Sequence, residues 1–406
     1  MTMMEVEAKE QLERLKQGVA TLLPEEELLR KLERRSPLRV KLGIDPSAPQ
    51  LTLGHAVVLR KLRQFQELGH LAVLIVGDFT RLIGDPSGQT STRPPMTKEE
   101  IARNMAGYVE QAYKILDPAK TEIRYNSEWL GKLSFEDVIR LSARYTVARM
   151  LERDDFSSRF KQGLPITIME FLYPLAQAYD SVAVEADVEI GGEDQRFNFL
   201  IGRAIQEAYG QEPQVILTMP LLIGTDGERA MSQSRGNYIG LAESPKEMFG
   251  KIMALPDHLM PQYFTLLTDI PPDELAELEE IHPRDRKMRL AREIVSQFHG
   301  EEAAAQAEEE FIRVFQREEL PREIPTVSIS QETISPLDLL VGTGMAKSRS
   351  EARRLIDQGG VRLDGERLQG LEPVRIKDGA VLRVGKRRFV RLQLESAPSE
   401  SDQEER

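Results

Sequence analysis

The sequence predicts an α/β protein built on a parallel sheet, followed by a helical region and a small α+β module. Three observations carry that prediction. Apolar runs at 39–42 and 71–76 flank a stretch of helical period, Leu53 to Glu67, the strand–helix–strand order of a parallel sheet. Residues 245–314 are charged, rich in Leu and Met and broken repeatedly by Pro, which reads as several short helices. Residues 335–395 alternate turn signals (Gly359-Gly360, Asp364-Gly365, Asp378-Gly379) with short β-like runs after one basic helix.

The elements follow in order. Residues 5–35 carry Leu at helical spacing among Glu, Lys and Arg, with a new start at Pro24-Glu25-Glu26-Glu27, so 1–34 is read as N-terminal helices. The capping box Thr97-Lys98-Glu99-Glu100 opens a helix expected to reach about Leu116. Strands are expected at 121–125, 182–189 and 215–223, and helices at 140–152, 172–179 and 196–209. The domain reading is an α/β domain over 35–240, a helical domain over 241–320, a linker with Pro321 and Pro325 over 321–334, the small module over 335–395, and an acidic, disordered tail over 396–406.

With 406 residues and 40% hydrophobic content the chain is long enough for two or three cores. No apolar run approaches the roughly 18 residues of a membrane helix, and the polar N-terminus has no signal-peptide core, so no membrane partner and a cytoplasmic location are expected. The 0 Cys exclude disulfides, thiolate metal sites and cysteine nucleophiles; the 5 His are not at ligand spacing, so no metal site is expected. A net charge of -12 argues against nucleic acid on its face, yet residues 335–395 hold 13 Lys/Arg against 8 Asp/Glu. A basic module therefore follows an acidic body.

Four constellations can carry chemistry. Gly43-Ile44-Asp45-Pro46-Ser47, followed by Thr52-Leu53-Gly54-His55, is a strand-to-helix turn where free N–H groups at a helix start suit a phosphate, although such turns are more often only turns. Residues 83–95, with Asp85, Gln89 and Arg93, form a Gly- and Pro-rich loop after an apolar strand, where open sheets bind ligands; a solvated loop is the even alternative. Tyr173, Gln177 and Asp180 lie on one helix face and precede Gly191-Gly192-Glu193-Asp194-Gln195, so several polar groups can meet one small ligand, although the triplet alone slightly favours a mere polar helix edge. Residues 227–237, including Ala230-Met231-Ser232-Gln233-Ser234, suit a mobile lid, although taken alone they are only a polar loop.

Taken in order and spacing, these segments resemble the bacterial tyrosyl-tRNA synthetases, class I aminoacyl-tRNA ligases, from about residue 35 to 395. The carboxyl-terminal module is similar to an S4-type RNA-binding domain, with Lys347, Arg349, Arg353 and Arg354 on its basic helix. The resemblance implies a Rossmann-like catalytic domain that makes tyrosyl-adenylate from tyrosine and ATP and passes tyrosyl to tRNA. It also implies a homodimer, Mg²⁺ accompanying ATP as substrate, and no tightly bound cofactor. By resemblance Asp180 meets the phenol, Asp85, Tyr173 and Gln177 hold the α-ammonium, and Gln195 lies near the carboxylate. Gly43, Asp45, Ser47, Thr52, Gly54, His55, Gly192 and Asp194 border the nucleotide, with Leu222 and Ile223 beside the adenine. Lys41 stands where many members carry a Tyr that also touches the phenol.

The departures fall on one task. Thr52 replaces the first His of the family's His-x-Gly-His signature, and Ala230 and Gln233 replace the two lysines of its Lys-Met-Ser-Lys-Ser lid. Gln89 stands where a basic residue is usual, leaving Arg93. All of these positions stabilise charge on the departing phosphates. Two expectations stand: a tyrosine–tRNA ligase, active at reduced rate or with Arg229 or Arg235 as substitutes; or a paralogue that binds tyrosine and tRNA or another structured RNA but has lost adenylation.

Overall fold

The computed structural model describes residues 8–34, 37–87, 96–315, 324–385 and 388–394. Two compact units divide the chain at residues 308 and 309. The first holds a six-stranded sheet of β1 (Thr21–Leu23), β2 (Arg39–Ile44), β3 (Leu71–Val76), β4 (Thr121–Tyr125), β5 (Val188–Gly192) and β6 (Val215–Met219), in the order β1-β6-β5-β2-β3-β4. All pairs are parallel except β1 with β6. Val40, Leu42, Val73, Leu74 and Ile75 are buried, as strands covered on both faces require. Since β2 lies between β5 and β3, the order reverses there, and ligands bind such sheets at the strands' carboxyl ends.

Several boundaries differ from the sequence reading. Thr21–Leu23 is a strand edging β6, because a three-residue strand leaves no periodic trace. The helix opened by Thr97 stops at Met105 and restarts at Tyr108, with Gly107 at φ 83 in the left-handed region that glycine enters at little cost. The expected helix over 140–152 is two, Phe135–Ser142 and Val147–Met150, the second capped by the Thr146 hydroxyl. The expected strand over 182–189 is half helix: Ile168–Ala183 runs through Val182, Glu185 turns at φ 51, and β5 begins only at Val188. Period alone does not separate a buried helix end from a buried strand. β6 ends at Met219 because Pro220 has no N–H to continue the ladder.

Helices Pro245–Met253, Met260–Leu267, Pro272–Glu279, Pro283–His299 and Glu301–Phe315 bear out the helical reading of 245–314, and all but the end of the last belong to the first unit. The second unit contains helices Pro336–Gly342 and Arg349–Asp357 and a sheet in the spatial order 366–367, 361–363, 381–384, 388–394, 326–329. The linker reading of 321–334 needs correction over its described part: Thr326–Ile329 pairs in parallel with Arg391–Leu394, and Thr333–Ile334 pairs with Val374–Arg375. Alternation across Val327 and Ile329 supplies the inward face, which Pro and Ser/Thr had masked. The tail over 396–406 lies outside the described residues.

Candidate active site

A cavity of about 300 Å³ opens at the carboxyl ends of β2, β3 and β5. It brings together Gly43, Asp45, Ser47, Thr52, Gly54, His55, Asp85, Tyr173, Gln177, Asp180, Gly192, Asp194, Gln195, Leu222, Ala230 and Met231, so sixteen expected positions share one wall. Among the described residues that line it there are four aspartates and no Lys or Arg. The field inside therefore favours a cation.

At one end, Asp180 is buried within the helix Ile168–Ala183. Its Oδ1 accepts from Trp129 Nε1 at 2.8 Å and its Oδ2 from Asn126 Nδ2 at 3.2 Å. Asn126 is held in turn, its Oδ1 accepting from the Phe79 N–H at 2.9 Å. Burial pushes the Asp180 carboxyl up to about 7, partly offset by Lys41 and by the Trp129 and Asn126 hydrogen bonds. Asn126 and Trp129 escaped the sequence reading. The signal was present: both follow β4 directly, and Trp129 is the 1 Trp of the chain, placed in a polar segment.

Asp45 sits at the end of β2, where its Oδ1 accepts from Thr80 Oγ1 at 2.8 Å and its Oδ2 from the Tyr173 hydroxyl at 2.9 Å. The expected ammonium and nucleotide groups thus meet in one hydrogen bond. Burial raises Asp45 to about 6 and, with Asp45 itself adjacent, pushes the Tyr173 phenol well above its ordinary range. A Cβ at Gly77 would lie 2.0 Å from Asp45 Oδ1, so glycine there is what lets the carboxylate tuck under β3. At Gly192 a Cβ would lie 2.6 Å from Asp194 Oδ1, and burial raises that carboxyl also.

Gln195 donates from Nε2 to Asp85 Oδ2 at 2.8 Å, and the Ser87 N–H donates to Asp85 Oδ1 at 2.8 Å. Thr52 caps the helix Leu53–Glu67, and its N–H donates to His55 Nδ1 at 3.1 Å. That bond assigns Nδ1 as acceptor, and burial lowers His55 to about 4, so the ring is neutral and carries its proton on Nε2.

Other expected positions lie off the cavity wall. Lys41 is fully buried in β2, where its Nζ pairs with Glu189 at 2.8 Å and donates to Ser181 Oγ at 2.8 Å and to the Gln177 carbonyl at 3.0 Å. Its effect on the cavity passes through Asp180, whose carboxyl it lowers. Ile223 forms a bridge with Ala230, and its N–H and carbonyl are taken by Gln262 and Tyr263. Ser232 and Ser234 bond each other at 2.9 Å. Gln233 donates to the Gln50 carbonyl, fastening the lid to the turn that carries Thr52. Arg229 is paired with Asp226 at 2.9 Å and Arg235 donates to the Ala230 carbonyl at 3.0 Å, so both candidate substitutes are turned to their own loop. Gln89 and Arg93 lie outside the described residues.

In the second unit, the helix Arg349–Asp357 buries Ala352 and Ile356 and exposes Arg353 and Arg354, with Lys347 and Arg349 exposed at its start. Arg349 is paired with Asp338 at 2.7 Å.

A parallel sheet with its switch point at the mouth of an acidic cavity, followed by helices, is the arrangement in which open α/β proteins bind their ligands. The family pattern "tRNA synthetases class I (W and Y)" matches residues 33–316, and a "Tyrosine--tRNA ligase SYY-like C-terminal domain" matches 316–392. The chain belongs to the class I tRNA synthetases of the tryptophan and tyrosine group. It is 59% identical to the tyrosine–tRNA ligase of Thermotoga maritima, covering 95% of this chain and 97% of that one. It is 54% identical to that of Moorella thermoacetica, over 96% and 97%. Among solved structures, a truncated mitochondrial tyrosyl-tRNA synthetase of Coccidioides posadasii aligns with a TM-score of 0.61 at 25% identity, over 75% of this chain and 91% of that one. A tyrosyl-tRNA synthetase of Archaeoglobus fulgidus, complexed with L-tyrosine, aligns with a TM-score of 0.61 at 24% identity over 74% and 99%, which bears on the fold.

Proposed function

We infer that this chain is a tyrosine–tRNA ligase, which activates tyrosine with ATP and transfers it to the 3′ end of tRNA. The observation that carries the reading is Asp180, an acceptor held by Trp129 and Asn126 at one end of a cavity whose other groups suit an α-amino acid. A phenol O–H gives that carboxylate a further donor, whereas a phenyl ring buries it without one. The ammonium then faces Asp85, Gln177 and Tyr173, and the tyrosine carboxylate attacks the α-phosphate while pyrophosphate leaves. His55, neutral with Nε2–H, donates to a phosphate oxygen without adding charge.

Mg²⁺ accompanying ATP as part of the substrate would supply positive charge at the phosphates, where the described lining of the cavity holds no Lys or Arg. The exposed Arg353 and Arg354 on the second unit's helix suit the tRNA backbone. No helix among the described residues is long and apolar enough to cross a membrane. The test is acylation of bacterial tRNA with labelled tyrosine: charging with tyrosine and none with phenylalanine is expected, and no charging would remove the reading.

The working form is a homodimer. Helices whose inner faces share one core cluster around Leu141, Met150 and Phe156 leave Phe135 at 81%, Ile168 at 81% and Phe160 at 64% exposed, with Ile139 one turn from Phe135. Large apolar side chains grouped in this way mark an interface. Sedimentation should give twice the chain mass, and Phe135→Asp with Ile168→Asp should return it to the monomer value.

A further inference from the structure

Behind the cavity wall lies a pair of residues that no motif includes. Arg153 is 6% exposed and Asn198 1% exposed, so both must satisfy their polar atoms internally. Arg153 Nη1 donates to Asn198 Oδ1 at 3.0 Å, while its Nε and Nη2 are fixed by Asp155, each at 2.8 Å. Asn198 Nδ2 then donates to Gln177 Oε1 at 3.1 Å and to Gln195 Oε1 at 3.0 Å. The far ends of the two glutamines meet carboxylates: Gln177 Nε2 reaches Glu189 Oε1 at 3.3 Å, and Gln195 Nε2 reaches Asp85 Oδ2 at 2.8 Å.

An amide can be turned end for end, so its direction is set only by partners that cannot change role. Guanidinium has no acceptor and an ionised carboxylate has no donor. Arg153 at one end and Glu189 and Asp85 at the other therefore allow one direction through all three amides. Asn198 must show its oxygen to Arg153 and its nitrogen to both glutamines, whose oxygens consequently face Asn198. Each of those oxygens retains a second lone pair, and Gln177 lines the cavity.

We propose that Arg153 and Asn198 are positioning residues that set the direction of the Gln177 and Gln195 amides, so that Gln177 presents acceptor oxygen, rather than N–H, to the α-ammonium of the amino-acid substrate while Gln195 keeps its N–H groups toward Asp85 and the carboxylate end. The inference rests on the tyrosine-binding reading above and adds the residues that orient its ammonium end. Without the relay, Gln177 can reverse and turn two N–H groups toward a cation. Arg153 also stands 3.9 Å from Asp85, at the same end of the site.

The test compares binding of tyramine and 4-ethylphenol, which differ only in the amine, to the full chain by competition against labelled tyrosine without ATP. In the unmodified chain tyramine should bind more tightly than 4-ethylphenol. Asn198→Leu and Arg153→Met should each weaken tyramine and tyrosine by about 10- to 100-fold, the loss expected for one hydrogen bond to a charged group, and leave 4-ethylphenol unchanged. Arg153→Lys, which keeps a donor-only group, should retain most of the tyramine preference, and this pair decides the matter if Asn198→Leu does not fold. Equal weakening of both ligands, or of neither, would overturn the relay. Failure of the unmodified chain to bind tyrosine would remove the tyrosine reading, and the relay with it.

Discussion

Ala230→Lys and Gln233→Lys together accelerate tyrosine-dependent ATP–pyrophosphate exchange by at least about 100-fold over the unmodified chain. The reason is geometric. Ala230 lines the cavity and Gln233 fastens the lid over it, yet the described lining offers four carboxylates and no Lys or Arg to the departing phosphates. One preorganised group aimed at developing charge is worth about 10²–10³ in rate, and two on one lid need not multiply. Tyrosine affinity without ATP should not change, because Asp180, Asp85 and Gln177 are untouched. An unchanged exchange rate would mean that Arg229 or Arg235 leaves its loop partner and already serves at the phosphates.

Asp180→Asn removes most of the distinction between tyrosine and phenylalanine. The new NH₂ must face either Trp129 Nε1–H or Asn126 Nδ2–H, and Asn126 cannot turn because its oxygen is held by the Phe79 N–H. A site built to hydrogen-bond a substrate hydroxyl discriminates by about 10⁴–10⁵, and that preference should fall to within about 100-fold. Ratios of kcat/KM for the two amino acids measure it.

The same carboxyl makes binding depend on pH. Burial raises Asp180 to about 7 from an unfolded value near 3.9, so the empty folded chain holds the proton to higher pH than the unfolded chain does. The stabilisation from that proton is complete below about pH 4 and is lost as pH rises through about 7. A bound phenol and ammonium favour the ionised form, so tyrosine affinity should rise from pH 6 to 8 with proton release, and Asp180→Asn should flatten the profile. Calorimetry in buffers of different ionisation enthalpy reads the proton directly.

Much of the site was legible because its groups travel together along the chain. Tyr173, Gln177 and Asp180 share one helix face, and Gly191 to Gln195 is contiguous, so spacing alone placed them side by side. What spacing cannot carry is contact across strands. Asn126 and Trp129 reach Asp180 only because β4 and the helix Ile168–Ala183 meet in the folded unit. Asn198, three residues past Gln195, looked like an ordinary helix position, and its role depends on Arg153, 45 residues earlier. Lys41 was visible as a departure, but its burial against Glu189, rather than facing the ligand, follows from pleat and sheet pairing. The boundary error at 182–189 arises because a short apolar segment fits either period until packing chooses, whereas at 321–334 Pro and Ser/Thr masked a short alternation.

Tyrosine-dependent ATP–pyrophosphate exchange on the unmodified chain tests the ligase assignment most directly, with tyrosine binding measured in parallel. Exchange that requires tyrosine, is not supported by phenylalanine and needs Mg²⁺ is the expected result. Tyrosine binding with no exchange at any Mg²⁺ concentration would contradict it, leaving a chain that keeps the amino-acid pocket without the chemistry of activation.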